Sequence, residues 1–125
     1  MTASRREARR QALVLLFQWD VTGQPLGSTF EGEADPWARE LAEGVTARAD
    51  QLDVVITAAS DEWSADRLGA VERNVLRIAI HELDAASVPP EVAVNEAVEL
   101  AKRYASDDAA RLVNGILGRV LREAA

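Results

Sequence analysis

Apolar residues recur every three or four positions along most of this chain, the period of amphipathic helices. Ala8, Ala12, Leu15 and Trp19 fall on one face, and Leu13, Leu16 and Phe17 widen it. Ser4 and Glu7 form a capping-box pattern ahead of them, which predicts a helix from there to about Asp20. Val21 to Asp35 holds Gly23, Pro25, Gly27, Ser28 and Gly32 and reads as a loop with a short turn near Phe30. Asp35-Pro36 is a helix start, followed by an inner stripe of Trp37, Leu41, Val45 and Ala49. Gly44 and Asp50 mark breaks before a second piece carrying Leu52, Val55, Ile56 and Ala59.

Ser64 or Asp66 is the expected cap of the next helix. Its residues Val71, Val75, Leu76, Ile78, Ala79, Ile80 and Leu83 nearly surround it, so it should be central and most buried. Val88-Pro89-Pro90 imposes an extended link. A helix from about Glu91 to Ala105 and a last one capped by Ser106 complete the pattern. No alternating strand pattern, repeat or low-complexity tract intervenes. The expectation is an all-α, single-domain bundle of about five to seven helices over residues 1–125.

Composition sharpens this. Hydrophobic residues are 48% and charged residues 28%, the balance of a globular chain, and no apolar run is long enough to span a membrane. The six-residue apolar run Ala12–Phe17 after the arginines is too short for a secretory signal, which implies a cytoplasmic protein. With no cysteine and one histidine, His81, thiol chemistry and Cys- or multi-His metal sites are excluded, and no cofactor is expected. Nearly all of the carboxylates read as solvated surface. His81 reads as a surface or interface residue, since no nucleophile pattern accompanies it. Trp19, Trp37 and Trp63 read as core anchors, and Asn95 and Asn114 as buried amides. Gly115 and Gly118 read as points of close helix packing.

Net charge is −7, but the first ten residues carry four arginines and one glutamate, a local +3. Helical spacing joins Arg5 to Arg9 and Arg6 to Arg10 in one basic stripe, with Phe17 along the line of Arg6 and Arg10. Cations at a helix N-terminus oppose its dipole. Either an anion such as phosphate relieves the conflict, with Phe17 offered to an unpaired base, or the arginines pair with the chain's own carboxylates.

The residues also carry a resemblance. Arg5-Arg6-Glu7-Ala8-Arg9, Leu16-Phe17-Gln18-Trp19, Val71-Glu72-Arg73-Asn74-Val75-Leu76-Arg77-Ile78-Ala79, Asn95-Glu96-Ala97-Val98-Glu99-Leu100-Ala101-Lys102 and Leu112-Val113-Asn114-Gly115 occur in the order of the NusB family of bacterial transcription antitermination factors. The resemblance runs from about Arg5 to Leu121 and implies a helical bundle in two subdomains without catalytic activity. It implies an adaptor that joins the ribosomal protein NusE, binds the boxA element of nascent ribosomal RNA and meets NusA, NusG and RNA polymerase. Some family members form homodimers. The implied RNA contacts are Arg5, Arg6, Arg9, Phe17, Tyr104, Asp108 and Arg111, and the implied contact to NusE is Glu72. Ala109 and Leu112 depart from the Ser and the aromatic that are common in the family.

Two other readings are a domain of a ribosomal RNA cytosine methyltransferase and a purely structural homodimer. The first lacks its glycine-rich cofactor loop and catalytic cysteine here; the second would not need the arginine stripe.

Overall fold

A computed structural model describes residues 4–124. Six α-helices run α1 (Arg5–Thr22), α2 (Pro36–Ala47), α3 (Ala49–Ala59), α4 (Ala70–Ala85), α5 (Pro90–Tyr104) and α6 (Asp107–Ala124), with a 3-10 turn over Ala65–Arg67. No strand occurs among the described residues.

Local chemistry sets most boundaries. The Ser4 hydroxyl accepts from the Glu7 amide at 3.1 Å, capping α1, and Gly23 ends it in the left-handed region at φ 71° with its amide on the Trp19 carbonyl. Asp35 Oδ1 accepts from the Trp37 amide at 2.9 Å, and Pro36 supplies the first turn of α2. Pro90 opens α5, and the Ser106 hydroxyl accepts from the Ala109 amide at 3.0 Å. Between α1 and α2 the chain makes only turns, one of them from Gly27 to Phe30.

Helix α4 packs against all five other helices and holds an unbroken buried run from Asn74 to Ile80. Helix α3 also packs directly on α6, and α5 and α6 form a hairpin. Leu15, Leu16, Leu52, Ile56, Leu76, Ile80 and Leu117 are the largest buried apolar side chains, and they form one continuous core.

Several expectations need correction. The α2–α3 break falls at Arg48, not at Gly44 or Asp50. Gly44 serves close approach instead: a Cβ there would stand 2.8 Å from His81 Nε2 on α4. Helix α4 begins after Gly69, because the chain spends Ser64 and Asp66 on the 3-10 turn. Trp63 is 47% exposed, while Trp19 and Trp37 do pack against the core. Asn95 and Asn114 are exposed, and Gly115 has no close neighbour. The buried amide is Asn74, whose Nδ2 donates to Asp20 at 2.9 Å and to the Ala70 carbonyl at 2.8 Å. It belongs to a network in which Arg73 and Arg77 reach Asp20 from α4 and Arg77 reaches Asp53 on α3 at 2.7 Å. This network pins three helices through charge-assisted bonds at the edge of the core.

Candidate nucleic-acid interface

The arginines of α1 do not form one stripe. At 100° per residue, Arg5 and Arg9 lie on the flank that meets α2 and α4, and Arg6 and Arg10 on the flank that meets α5. Arg9 is 4% exposed, and its guanidinium grips Glu82 of α4 through two bonds, Nε to Oε2 at 2.9 Å and Nη2 to Oε1 at 2.8 Å. Arg5 lies 4.2 Å from the centroid of the Trp37 ring, which also lies beside Arg9. These two are turned from the flank that bears Phe17; a buried, doubly bonded guanidinium has little left to offer a phosphate.

On the other flank Arg6 reaches Glu96 of α5 at 3.0 Å, and Arg10 pairs with Glu7 one turn back. The hydrogen bond to Glu96 raises the Arg6 pKa, and that to Glu7 raises the Arg10 pKa, with Tyr104 adding to the effect. Both groups stay cationic at any ordinary pH. Three of the four arginines therefore find carboxylates within the chain, which relieves the unfavourable placement at the helix N-terminus.

Beside Arg10 the two helices leave a groove of about 320 Å³, lined by Arg10, Leu13, Val14, Phe17 and Gln18 of α1, Val71 of α4 and Tyr104 of α5. Phe17 is 38% exposed and Tyr104 37%. Large apolar rings left half in water on one groove call for an explanation beyond packing. The Arg103 guanidinium sits 5.3 Å from the Tyr104 ring centroid. Apolar walls, two rings and two bordering arginines make a surface suited to unpaired bases and their phosphates.

The groove thus unites Phe17 and Tyr104, with Arg6 nearby on the Arg10 flank. It excludes Asp108 and Arg111, which pair with each other on the exposed first turn of α6. The sequence places Arg10 in the basic stripe but does not point to Gln18 or Arg103. Arg10 shares the helical line of Phe17, and Arg103 precedes Tyr104, so spacing alone held a signal for the first. Glu72 is half-buried on the first turn of α4 and folds back over Gly69, where an added Cβ would meet its Oε2 at 2.3 Å. It makes no ion pair among the described residues; its sequence neighbour Arg73 is spent on Asp20.

This architecture is that of a small all-helical protein, a six-helix bundle presenting a basic and aromatic groove between its first and fifth helices. Comparison identifies the family: residues 6–122 match the NusB family model, and the chain belongs to the NusB family. It is 44% identical over 121 residues to the transcription antitermination protein NusB of Rubrobacter xylanophilus, covering 91% of this chain and 87% of that one. It superposes on T. maritima NusB with a TM-score of 0.84 at 34% identity, covering 98% and 94% of the two chains. A structure of antitermination factors NusB and NusE in complex with dsRNA matches with a TM-score of 0.81 at 29% identity, covering 95% and 96%.

Proposed function

We propose that this chain is a non-enzymatic transcription antitermination factor that binds RNA through the groove between α1 and α5. The groove itself carries the reading: Phe17 and Tyr104 stand half-exposed around one cleft with Arg10 and Arg103 at its border. Stacking on rings accepts any base, and the cationic border attracts phosphates, so the cleft suits a single strand. Family membership supports the reading, as does the solved complex of a similar chain with NusE and RNA.

In this account the ligand is the boxA element of nascent ribosomal RNA. The strand rests on Phe17 and Tyr104, Arg6 supplies a further cation, and Asp108 and Arg111 extend the surface across α6. Arg5 stands at the Trp37 edge. Arg9 acts from beneath by holding α1 against α4. Glu72, without an ion pair among the described residues, faces the basic ribosomal protein NusE, and the assembled pair joins NusA, NusG and RNA polymerase.

Titration of a boxA-like single strand at several salt concentrations, with and without NusE, tests this. Affinity should fall with salt, with a slope of about −0.7 per phosphate contacted. Salt-independent binding, or none even with NusE present, rejects it.

A further inference from the structure

Gln18 follows Phe17 on α1 and lines the same groove. Its hydrogen-bonding capacity is almost unspent. Oε1 is buried with no partner, the one such side-chain atom among the described residues. Nε2 donates one bond, to the Thr29 carbonyl at 3.5 Å, at the far limit of the interaction. Buried polar atoms are nearly always paired, so an orphaned acceptor on a side chain that lines an apolar cleft points to a missing donor. The weak tie to Thr29 is the one bond that holds the terminal amide, and a change of side-chain rotamer brings both of its groups to the groove.

We propose that this groove takes a single adenine from the strand, and that Gln18 selects it. The inference rests on the reading of the α1–α5 face as an RNA interface and adds base specificity to it. The cleft, at about 320 Å³, lies near the lower end of ligand pockets and is sized for one flat heterocycle. Leu13, Val14 and Val71 meet the base faces and edges without polar demand, while Phe17 and Tyr104 supply rings for stacking. A glutamine amide pairs in two-point fashion with adenine, Oε1 accepting from the N6 amine and Nε2 donating to N7. Guanine presents two acceptors on that edge and sets O6 against Oε1. The bordering Arg10 and Arg103 favour an occupant that brings a phosphate, which an apolar peptide does not.

The test uses fluorescence anisotropy with the full chain, alone and with NusE. The strands are ten-residue oligouridylates whose central base is adenine, guanine, unsubstituted purine or uracil. The adenine strand should bind tighter than the guanine and purine strands by roughly 5- to 150-fold, the discrimination of a good two-point contact. Gln18→Leu and Gln18→Met should erase that preference and keep salt-dependent binding of all four strands. Thermal melting should show both variants as stable as the parent or more so, because the orphaned acceptor is gone. A parent without preference, or a preference that survives in both variants, overturns the adenine pocket and leaves the RNA interface standing. If no strand binds in a salt-dependent way even with NusE, the interface reading falls and the pocket falls with it.

Discussion

Arg9 and Glu82 show how little a residue's type says about its employment. Four arginines open α1, yet this one is buried in a two-point pair with an acid 73 positions away. Removing one partner strands the other's charge in the core, at a cost of about 3–5 kcal/mol. Arg9→Ala should therefore lower stability by that amount in urea unfolding, and Arg9→Met with Glu82→Leu should recover most of it. Arg6→Ala, at a 76% exposed side chain, should leave stability nearly unchanged. Equal losses at the two positions would refute the division.

His81 makes a second residue-scale case. Arg48 Nη1 lies 3.1 Å from His81 Nδ1 and only donates, so the ring must be neutral, with its proton on Nε2. Burial, and then the charge of Arg48, lower the His81 pKa below its ordinary value near 6.5, against the smaller opposing pull of Asp84 and Glu82. The unfolded chain thus binds a proton first as pH falls. The stability from neutral His81 is complete above about pH 6.5 and is lost as pH drops below it toward the depressed folded value. His81→Gln should flatten the stability profile between pH 5 and 7, measured by chemical denaturation at each pH. A variant profile as steep as the parent's would contradict this.

Among the elements, the helices were legible because their inner faces repeat at 3.6 residues and their caps are local: Ser4, Asp35, Ser106 and the Pro89-Pro90 pair each act within a few residues. What periodicity does not carry is which neighbour a polar face meets. Asn74 is buried and Asn95 exposed because Asp20 of α1 stands opposite the former, a contact that spans 54 positions. Gly44 looked like a break because a glycine weakens a helix; its cause is the His81 ring on another helix. Trp63 points outward because it lies in the short link before the 3-10 turn, where no helical face directs it inward. The candidate site was legible in part for the same reason. Phe17 lies on the Arg6–Arg10 line, but only the packing of both α1 and α5 on α4 brings Tyr104 beside it. The groove can be tested at this scale. Phe17→Ala and Tyr104→Ala should each weaken single-strand binding by about 1–3 kcal/mol, read by anisotropy, with little loss of melting temperature because both rings are half-exposed. A large stability loss with unchanged affinity would make them structural.

Over the whole molecule, charge is divided. The chain carries −7 overall, so affinity for RNA has to come from local fields, which reach about 8–10 Å in physiological salt. The remaining acidic surface disfavours indiscriminate coating of nucleic acid and suits a basic protein partner. Glu72 carries no ion pair among the described residues and sits one residue from the groove-lining Val71. Glu72→Lys should weaken binding to NusE by about 2 kcal/mol or more in calorimetry. Salt-dependent RNA binding by the variant alone should persist. Unchanged affinity for NusE would remove Glu72 from that interface.

The central claim is that the α1–α5 groove, and not the basic N-terminus as a whole, receives the RNA. The most direct measurement compares two variants of the chain, Phe17→Ala with Tyr104→Ala and Arg5→Ala alone, in a salt titration of boxA RNA with NusE present. The double ring variant should lose most of its affinity at every salt concentration, while Arg5→Ala should stay within about twofold of the parent, since its cation lies over Trp37 on the opposite flank. Full affinity in the ring variant, with binding abolished by Arg5→Ala, would contradict the account.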